Sequence, residues 1–274
     1  MERCNSYTLN LGGTLMETSI PLVMGIVNAT PDSFHEHASD AESIVATVER
    51  MIREGADIID IGGMSTRPGA SDVSEEEEWR RLAEALELVK SKWPQMPISV
   101  DTFRPTIAER CICEYGAQII NDISGGCKEM FEVVARTKTP YILTFNEERK
   151  PEMDIIKQMM LFFAERVQML RNRGQADLIL DPGFGFNKSV EDNFRLMSHL
   201  DCLKVLNLPV LVGISRKSMI YKTLECTPNE ALNGTTALHM TALEKGASIL
   251  RVHDVAEAKQ CIKLKTLLNS PSKE

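Results

Sequence analysis

The sequence predicts a (β/α)8 barrel (TIM barrel), a closed ring of eight parallel strands each followed by a helix, with a β-hairpin in front of it. Short apolar runs recur along the 274 residues, and amphipathic, helix-like stretches separate them. The runs do not alternate with polar residues, which is typical of strands buried on both faces of a parallel sheet. An open, doubly wound sheet is the alternative, because counting elements does not decide whether a sheet closes.

The N-terminal segment, residues 5–20, is predicted to be the hairpin. Gly12-Gly13 lies there between two short apolar–polar segments, as in a tight two-residue turn. No Gly-, Ser- or Pro-rich linker and no low-complexity stretch divides the rest of the chain. The sequence therefore predicts one domain over residues 1–274.

The barrel strands and helices follow in strict alternation. The eight predicted strands are Leu22–Val27, Ile58–Ile61, Pro97–Val100, Gln118–Ile120, Tyr141–Leu143, Leu178–Leu180, Val210–Val212 and Ile249–Val252. The predicted helices span residues 40–54, 74–93, 105–115, 128–137, 151–173, 190–206, 229–245 and 254–268. Ser74 is the expected N-cap of the second helix, because four glutamates follow it and basic residues lie near the end of that helix.

Composition excludes several classes of function. The net charge of −8 argues against a nucleic-acid-binding surface, although a local basic pocket for an anion remains compatible with it. No apolar run is long enough to span a membrane, and the N-terminus has no signal-peptide pattern. The seven cysteines include no CxxC pair, so we interpret them as reduced thiols of a cytoplasmic protein.

Polar and charged residues follow nearly every predicted strand. In a barrel the carboxyl ends of all strands meet on one face, where active sites lie. Plain turns would supply Gly, Asn, Asp and Ser, but fewer Arg and Lys than this chain has there. The sequence therefore predicts one convergent site, to which these positions contribute: Asn28, Arg67, Asp101, Asn121, Asn146, Asp181, Lys217, Arg251 and His253.

Three of these residues suit a flat heterocycle. Asp101, Asn121 and Asp181 follow three different strands. A carboxylate accepts two parallel hydrogen bonds from an amidine-like edge, as it does from arginine. Each residue alone could equally be a turn or helix-cap residue, but the set favours a heterocycle with several N–H donors.

The basic residues suit an anion. Arg67, Lys217, Arg251 and His253 bring positive charge to the same face of an acidic protein, which favours phosphate or diphosphate. Alternatively, Lys217 is a solvated surface lysine and Arg67 a mobile loop cation. Asn28 is a neutral oxygen ligand that could bind Mg2+ together with substrate phosphate oxygens, although asparagine also suits a turn.

Seven stretches, in order, resemble the dihydropteroate synthase family. They are VMGIVNATPDSF, GADIIDIGGMSTRPGA, ISVDT, IINDISGG, LDPGFGF, LVGISRKSMI and RVHDV, from about residue 22 to 255. The resemblance implies a (β/α)8 barrel with an N-terminal hairpin, usually a homodimer. It also implies a transferase that joins p-aminobenzoate to 6-hydroxymethyl-7,8-dihydropterin diphosphate in folate synthesis.

The resemblance also implies roles for individual residues. It assigns the pterin pocket to Asp101, Asn121, Ile123, Asp181, Phe186, Gly213 and Lys217. It implies that Arg251 stacks on the pterin and helps to hold diphosphate, that His253 contacts diphosphate and that Asn28 ligates Mg2+. Thr66, Arg67 and Pro68 are similar to a mobile loop that closes over p-aminobenzoate and diphosphate. Ser218 is similar to the residue near the p-aminobenzoate carboxylate, where sulfonamide drugs compete.

The implied chemistry is a dissociative substitution in which diphosphate leaves before the aniline nitrogen attacks. Basic groups and Mg2+ would stabilise the departing anion, and pocket carboxylates would stabilise the cationic pterin. Such a reaction needs no covalent enzyme intermediate. The absence of an activated Ser, Cys or His arrangement in the sequence is consistent with this.

Two loops depart from the family pattern. After the fifth strand, TFNEERKP at residues 144–151 replaces a Met-His-Met-x-Gly stretch, and we expect Phe145 or Asn146 to stand in for its pocket contact. In the first loop, residues 34–39 replace an Asp-Gly-Gly. These changes leave open a pterin-binding paralogue with lost or altered synthase activity. A pterin-dependent methyltransferase is a further alternative, against which the SRKS and STRPG stretches argue.

Overall fold

The hairpin forms as the glycine pair predicts. The computed structural model describes residues 6–29, 40–64 and 73–269. Strands β1 (Thr8–Leu11) and β2 (Thr14–Glu17) pair in antiparallel register. Gly12 and Gly13 connect them with φ angles of 62° and 99°, a conformation that suits glycine. The Asn10 side chain accepts a hydrogen bond from the Gly13 amide at 2.7 Å and holds the turn.

The next eight strands form one parallel sheet in sequence order around a ring. They are β3 (Leu22–Asn28), β4 (Ile58–Gly62), β5 (Ile98–Asp101), β6 (Ile119–Asp122), β7 (Tyr141–Thr144), β8 (Leu178–Asp181), β9 (Leu211–Val212) and β10 (Ile249–Val252). Strand β10 pairs with both β3 and β9. A parallel bridge between Leu180 and Val210 joins β8 to the segment that leads into β9. The sheet therefore closes, and the predicted barrel is confirmed over the open-sheet alternative.

The helices lie between the strands. They are α1 (Asp40–Arg53), α2 (Glu75–Lys92), α3 (Pro105–Tyr115), α4 (Lys128–Thr137), α5 (Ile155–Asn172), α6 (Val190–Ser198), α7 (Ser218–Tyr221), α8 (Leu232–Glu244) and α9 (Val255–Asn269). Ser74 caps α2 by accepting from the Glu77 amide, as predicted. The fifth helix starts later than predicted, because Asp154 caps it by accepting from the Ile156 and Lys157 amides.

The predicted helix over 190–206 divides at His199. An α-helix ends at Ser198, and a 3-10 helix runs from Leu200 to Leu206. The short helix α7 was not predicted; it follows directly on Lys217, so that Ser218 is its first residue. A short element at this point places Lys217 and Ser218 just beyond the carboxyl end of β9.

Two apolar layers stabilise the barrel. The larger layer lies between the strands and the helices, and the smaller one fills the amino-terminal part of the barrel interior. Leu9 and Leu11 of the hairpin join this interior layer, so the hairpin closes that end of the barrel. The other buried members of the layer are Leu22, Met24, Ile58, Ile119, Ile142, Ile179, Leu211 and Ile249.

Two further observations concern the part of the chain that the structure describes. No helix there is long and apolar enough to cross a membrane. The six cysteines within it, Cys111, Cys113, Cys127, Cys202, Cys226 and Cys261, form no disulfide.

Candidate functional site

A polar layer lies above the apolar interior layer, toward the carboxyl ends of the strands. Side chains alternate along a strand, so the residue two positions after an inward-facing one also faces inward. Ile58, Ile119 and Ile142 face the interior. The inward positions further along the strands form the polar layer, in which Asp101 is paired in register with Asn121. Its members are Asp60, Asp101, Asn121, Thr144, Asp181, Gly213 and Arg251.

Most strands extend one residue beyond the predicted apolar run, into the first polar residue. Strands β5, β7 and β8 end at Asp101, Thr144 and Asp181, which pair with neighbouring strands. Burial inside a closed barrel keeps these residues in the backbone ladder despite their polarity. These three side chains are thus held by strands and not by loops, which favours a preorganised geometry.

Arg251 links two aspartates across the barrel interior. Its Nε donates to Asp60 Oδ2 at 2.6 Å, and its Nη2 donates to Asp101 Oδ2 at 2.6 Å. Although burial acts to lower the pKa of Arg251, the neighbouring Asp60 and Asp101 raise it, so the guanidinium stays charged. Burial raises the pKa of Asp101 to about 7 against the opposing effect of Arg251, because a carboxylate enclosed by protein loses its hydration.

Three acceptors in this layer have no hydrogen-bond partner within the described residues. They are Asp60 Oδ1, Asn121 Oδ1 and the hydroxyl oxygen of Thr144, all buried. Buried polar groups are normally paired, so such atoms mark positions where a ligand can supply the missing donor. Asn121 Nδ2 donates to Asp60 Oδ2 at 3.1 Å, which leaves its carbonyl oxygen for a donor on another molecule.

Asp181 and Lys217 form the second charged part of the site. Burial raises the pKa of Asp181, and Lys217 opposes that shift. Burial lowers the pKa of Lys217 to about 8, and Asp181 opposes it. The Lys217 ammonium donates to the carbonyl oxygen of Phe184 and lies 4.5 Å from the centroid of the Phe186 ring. Lys217 and Phe186 therefore place a cation and an aromatic face beside the carboxylate of Asp181.

The turn after β8 requires glycine. Asp181 Oδ1 accepts from the Gly183 amide at 2.8 Å. Gly183 has a φ of +68°, and a Cβ there would lie 2.2 Å from the carbonyl oxygen of Phe145. Any larger residue would push the loop after β7 away from Asp181, so the turn fixes the position of that carboxylate.

The residues after β9 and β10 are joined to each other. Arg216 forms a two-pronged ion pair with Asp254, with its Nε at 2.9 Å and Nη2 at 2.6 Å from the two carboxylate oxygens. The Ser215 hydroxyl lies 3.1 Å from Nδ1 of His253. These contacts hold the segment that carries Lys217 beside the segment that carries Arg251 and His253.

Asn28 ends β3 on the same face of the barrel and is partly buried. In the described ranges 6–29, 40–64 and 73–269, no group of three His, Cys, Asp or Glu side chains could hold a metal ion. A site with one neutral oxygen ligand suits an ion held mainly by substrate oxygens and water, which is how Mg2+ commonly binds with phosphates. The donor set therefore fits a substrate-borne Mg2+ and does not form a closed protein cage.

The loop after β7 differs from the expectation that Phe145 or Asn146 faces the pocket. Phe145 is fully buried and packs against Phe162 and Phe163, with ring centroids 5.2 and 6.4 Å away. Asn146 donates to the carbonyl oxygen of Ile123 at 2.8 Å and accepts from Asn187. The inward residue of this segment is Thr144, because it follows the interior residue Ile142 by two positions.

Lys188 connects this loop to the turn after β8. Its ammonium donates to three backbone carbonyl oxygens, those of Phe145 at 2.7 Å and of Gly183 and Phe186 at 2.9 Å each. It also lies 4.5 Å from the centroid of the Phe145 ring. One side chain therefore holds two loops at the edge of the site.

The structure brings most of the predicted site residues to one face of the barrel. Thr66, Arg67 and Pro68, together with the first-loop residues 34–39, lie outside the described residues. The predicted residues that do lie at this face are Asn28, Asp101, Asn121, Ile123, Asp181, Phe186, Gly213, Lys217, Ser218, Arg251 and His253. Sequence reasoning missed Asp60. A carboxylate in the middle of an apolar strand was the signal for Asp60.

The fold and the site together define a (β/α)8-barrel enzyme, with a polar pocket at the carboxyl ends of its strands. A family model described as pterin binding enzyme matches residues 24–253. A dihydropteroate synthase of Escherichia coli (strain K12) is 39% identical over 266 residues, 92% of this chain and 93% of the relative. One from Bacillus subtilis (strain 168) is 39% identical over 249 residues, 89% of this chain and 87% of the relative.

Solved structures of dihydropteroate synthases are also similar to this chain. The Xanthomonas albilineans dihydropteroate synthase with 4-aminobenzoic acid superposes with a TM-score of 0.91 at 38% identity, covering 97% of this chain and 100% of that one. The same organism's enzyme in complex with 7,8-dihydropteroate gives a TM-score of 0.88 at 34% identity, with the same coverage. This chain belongs to the dihydropteroate synthase family of pterin-binding enzymes.

Proposed function

We propose that this protein catalyses the dihydropteroate synthase reaction of folate biosynthesis. It joins p-aminobenzoate to 6-hydroxymethyl-7,8-dihydropterin diphosphate and releases 7,8-dihydropteroate and diphosphate. The observation that carries the proposal is the convergence of polar-layer residues Asp101, Asn121, Asp181 and Arg251, from four strands, with Lys217 from the turn after β9. The relatives named above, one of them in complex with 7,8-dihydropteroate, support the same reaction.

The chemistry of the residues suits a dissociative substitution. The bond between the pterin methylene carbon and the diphosphate oxygen breaks, and its electron pair leaves with diphosphate. The aniline nitrogen then forms the new C–N bond and releases a proton to solvent. Asp101 and Asp181 lie where their charge would stabilise the cationic pterin, and Arg251 and His253 lie where they would bind diphosphate.

The acceptors without partners suit the pterin. A 2-amino-4-oxo pterin ring carries several N–H donors along one edge. Asn121 Oδ1 and Asp60 Oδ1 are buried acceptors without a donor among the described residues. We propose that Asp101, Asn121 and Asp181 bind this edge, that Lys217 contacts the ring from the side of Phe186, and that Ile123 and Gly213 line the pocket.

We propose Mg2+ as the cofactor, bound by Asn28 and by diphosphate oxygens. The ion would neutralise part of the charge on the departing diphosphate. Asn28 offers one amide oxygen, and no group of three His, Cys, Asp or Glu side chains among the described residues could hold a metal, so Mg2+ affinity should depend on the presence of the diphosphate. Thr66, Arg67 and Pro68 are proposed to close over p-aminobenzoate and diphosphate, as the family resemblance implies.

Three finer properties are also proposals. Ser218, the first residue of α7, is proposed to lie near the p-aminobenzoate carboxylate, where sulfonamides would compete. A solved Yersinia pestis relative was crystallised as a sulfonamide drug complex, which supports this. The unpaired cysteines of the described part favour a reducing compartment such as the cytoplasm. A homodimer is expected from the family, and light scattering on the purified protein would test it.

A turnover assay tests the main proposal. The purified protein is supplied with the pterin diphosphate, p-aminobenzoate and Mg2+, and dihydropteroate is followed. Lys217→Ala should abolish turnover, because it removes the partly buried cation beside Asp181. The matched control is Lys222→Ala, an exposed lysine five positions further on, which should leave turnover unchanged.

The same assay distinguishes the second candidate function. The altered loop after β7 favours a paralogue that binds the pterin without catalysing the condensation, since Phe145 and Asn146 do not line the pocket. Tight binding of the pterin diphosphate without turnover would support that candidate and contradict the synthase.

A further inference from the structure

Asp60 is a charged residue in the middle of an apolar strand. It lies between Ile59 and Ile61 in β4, its side chain is fully buried, and it faces the barrel interior because Ile58 does. Burying a carboxylate is costly unless charged or hydrogen-bonding partners surround it. Its two donors, Arg251 and Asn121, are both residues to which the family resemblance gives a role in binding the pterin.

The first consequence concerns the amide of Asn121. An ionised aspartate only accepts hydrogen bonds, so the Asn121 atom 3.1 Å from Asp60 Oδ2 must be the NH2 group. The amide is therefore fixed in one of its two orientations. The carbonyl oxygen, which has no partner in the described part of the chain, is left as an acceptor.

The second consequence concerns the guanidinium of Arg251. Asp60 Oδ2 accepts from Nε, and Asp101 Oδ2 accepts from Nη2. Two carboxylates on adjacent strands thus fix the plane of the guanidinium as well as its position. Without Asp60, the charged contact that the described residues leave to this side chain is the one to Asp101, about which it could rotate.

From this geometry we infer that Asp60 is a positioning residue of the pterin site. It orients the Asn121 amide to accept from a ring N–H and holds the Arg251 guanidinium in a fixed plane beside the ring. This inference rests on the proposed function, since it names what Asp60 does for the pterin substrate. Asp60 acts through these two residues, so its removal should affect the pterin more than p-aminobenzoate.

The test compares Asp60→Asn with Asp57→Asn. Both replace an aspartate of the same short segment by its neutral isostere. Asp57 lies just before β4, at the other end of the barrel, where its Oδ2 accepts from the Val23 amide at 2.7 Å and from Lys259 at 2.6 Å. It therefore controls for the loss of one negative charge and of one ion pair outside the pocket.

We expect Asp60→Asn to raise the KM for the pterin diphosphate about tenfold, the equivalent of about 1.4 kcal/mol. Its KM for p-aminobenzoate should stay within about twofold of wild type, and Asp57→Asn should leave both KM values unchanged. A merely structural role would lower the active fraction, and hence kcat, without separating the two KM values. An unchanged pterin KM, or an equal rise in both KM values, would overturn the inference.

Two further measurements keep the test decisive. If Asp60→Asn cannot be purified, Asp60→Ser retains an oxygen at the position without a charge, and the same separation of KM values is expected. If the wild type binds pterin diphosphate but does not turn over, the proposed function fails, and calorimetric Kd values of the variants still test Asp60. In that case, equal Kd values for wild type and Asp60→Asn contradict the positioning role.

Discussion

The two ends of the barrel interior use the same strands for different purposes. At the amino-terminal end, the inward residues are aliphatic, and the hairpin covers them with Leu9 and Leu11. At the carboxyl-terminal end, the inward residues are polar or charged, and several have buried acceptors without partners in the described residues. The change occurs within two residues along a strand, for example from Ile179 to Asp181 in β8.

This comparison shows how one barrel separates stability from function. The aliphatic layer gains free energy from burial, about 25 cal/mol per Å2 of apolar surface. The polar layer contains enclosed carboxylates at Asp101 and Asp181, whose pKa values burial raises. Such groups are costly to bury, and their interactions become favourable when a complementary ligand is present. Substitutions in the polar layer should therefore lower activity, whereas substitutions in the aliphatic layer should lower the free energy of unfolding.

The largest effect is expected at Asp181. Asp181→Ala removes the carboxylate that opposes the burial of Lys217 and that accepts from the Gly183 amide. We expect kcat/KM for the pterin diphosphate to fall on the order of a thousandfold, because the ligand donors and Lys217 lose their partner. Asp177→Ala, at the other end of the same strand and away from the pocket, should change kcat/KM by less than about twofold. Tight pterin binding by Asp181→Ala would contradict the assignment of this pocket.

A loss of stability without a change in KM is expected at Ile179, two residues before Asp181. Ile179→Ala leaves a cavity in the aliphatic layer, where the side chain is fully buried, and should cost about 3 kcal/mol of unfolding free energy. The KM values of the folded fraction should not change. Urea denaturation measures the first quantity and initial rates the second. Leu161→Ala, at a side chain that is 52% exposed, serves as the control and should cost less than about 0.5 kcal/mol. A large rise in pterin KM for Ile179→Ala would show that the layers are not separate.

The pH dependence of the polar layer gives a third test. Asp101, with a pKa of about 7, must be ionised to bind Arg251, so kcat/KM should fall as the pH drops below about 7. Lys217, with a pKa of about 8, must be protonated, so kcat/KM should also fall above about pH 8. The expected profile is a narrow bell, and Asp101→Asn should lack its acid limb. A profile that is flat from pH 6 to 9 would contradict both assignments.

The smallest expected effect is a gain in stability. Thr144→Val replaces a buried hydroxyl that has no partner in the described residues by a methyl group of similar size. The unfolding free energy should rise by about 1 kcal/mol, because an unsatisfied hydroxyl is removed. Ser99→Ala, which removes another such hydroxyl in β5, is the matched comparison. A loss of stability in Thr144→Val would mean that the hydroxyl is paired in the protein in solution.

Most of the fold could be predicted from the sequence, because strand and helix periods are local properties. Each predicted barrel strand overlaps an observed one, and the predictions erred mainly at the strand ends. The predicted strands ended just before Asp101, Thr144 and Asp181, because a polar residue after an apolar run is also typical of the start of a loop. The closed interior, which only the complete fold creates, is what retains these residues in the sheet.

The site was predicted less completely, for a related reason. Asp101, Asn121 and Asp181 stand at the ends of apolar runs and attract notice, whereas Asp60 lies inside one. Its importance depends on Arg251, which is 191 positions away in the sequence and contacts it only in the closed ring. The expectation that Phe145 faces the pocket was wrong because an aromatic residue next to a site is equally suited to the core. Its packing against Phe162 of α5 places it in the core.

The Lys188 contacts have a consequence for how this enzyme can diverge. Its ammonium binds main-chain oxygens of the loops after β7 and β8, and a carbonyl oxygen is the same whichever residue carries it. These three hydrogen bonds therefore do not depend on which side chains follow Phe145 in the loop after β7. Residues after Phe145 can therefore be exchanged over evolutionary time without loss of this anchor between the loop after β7 and the turn after β8.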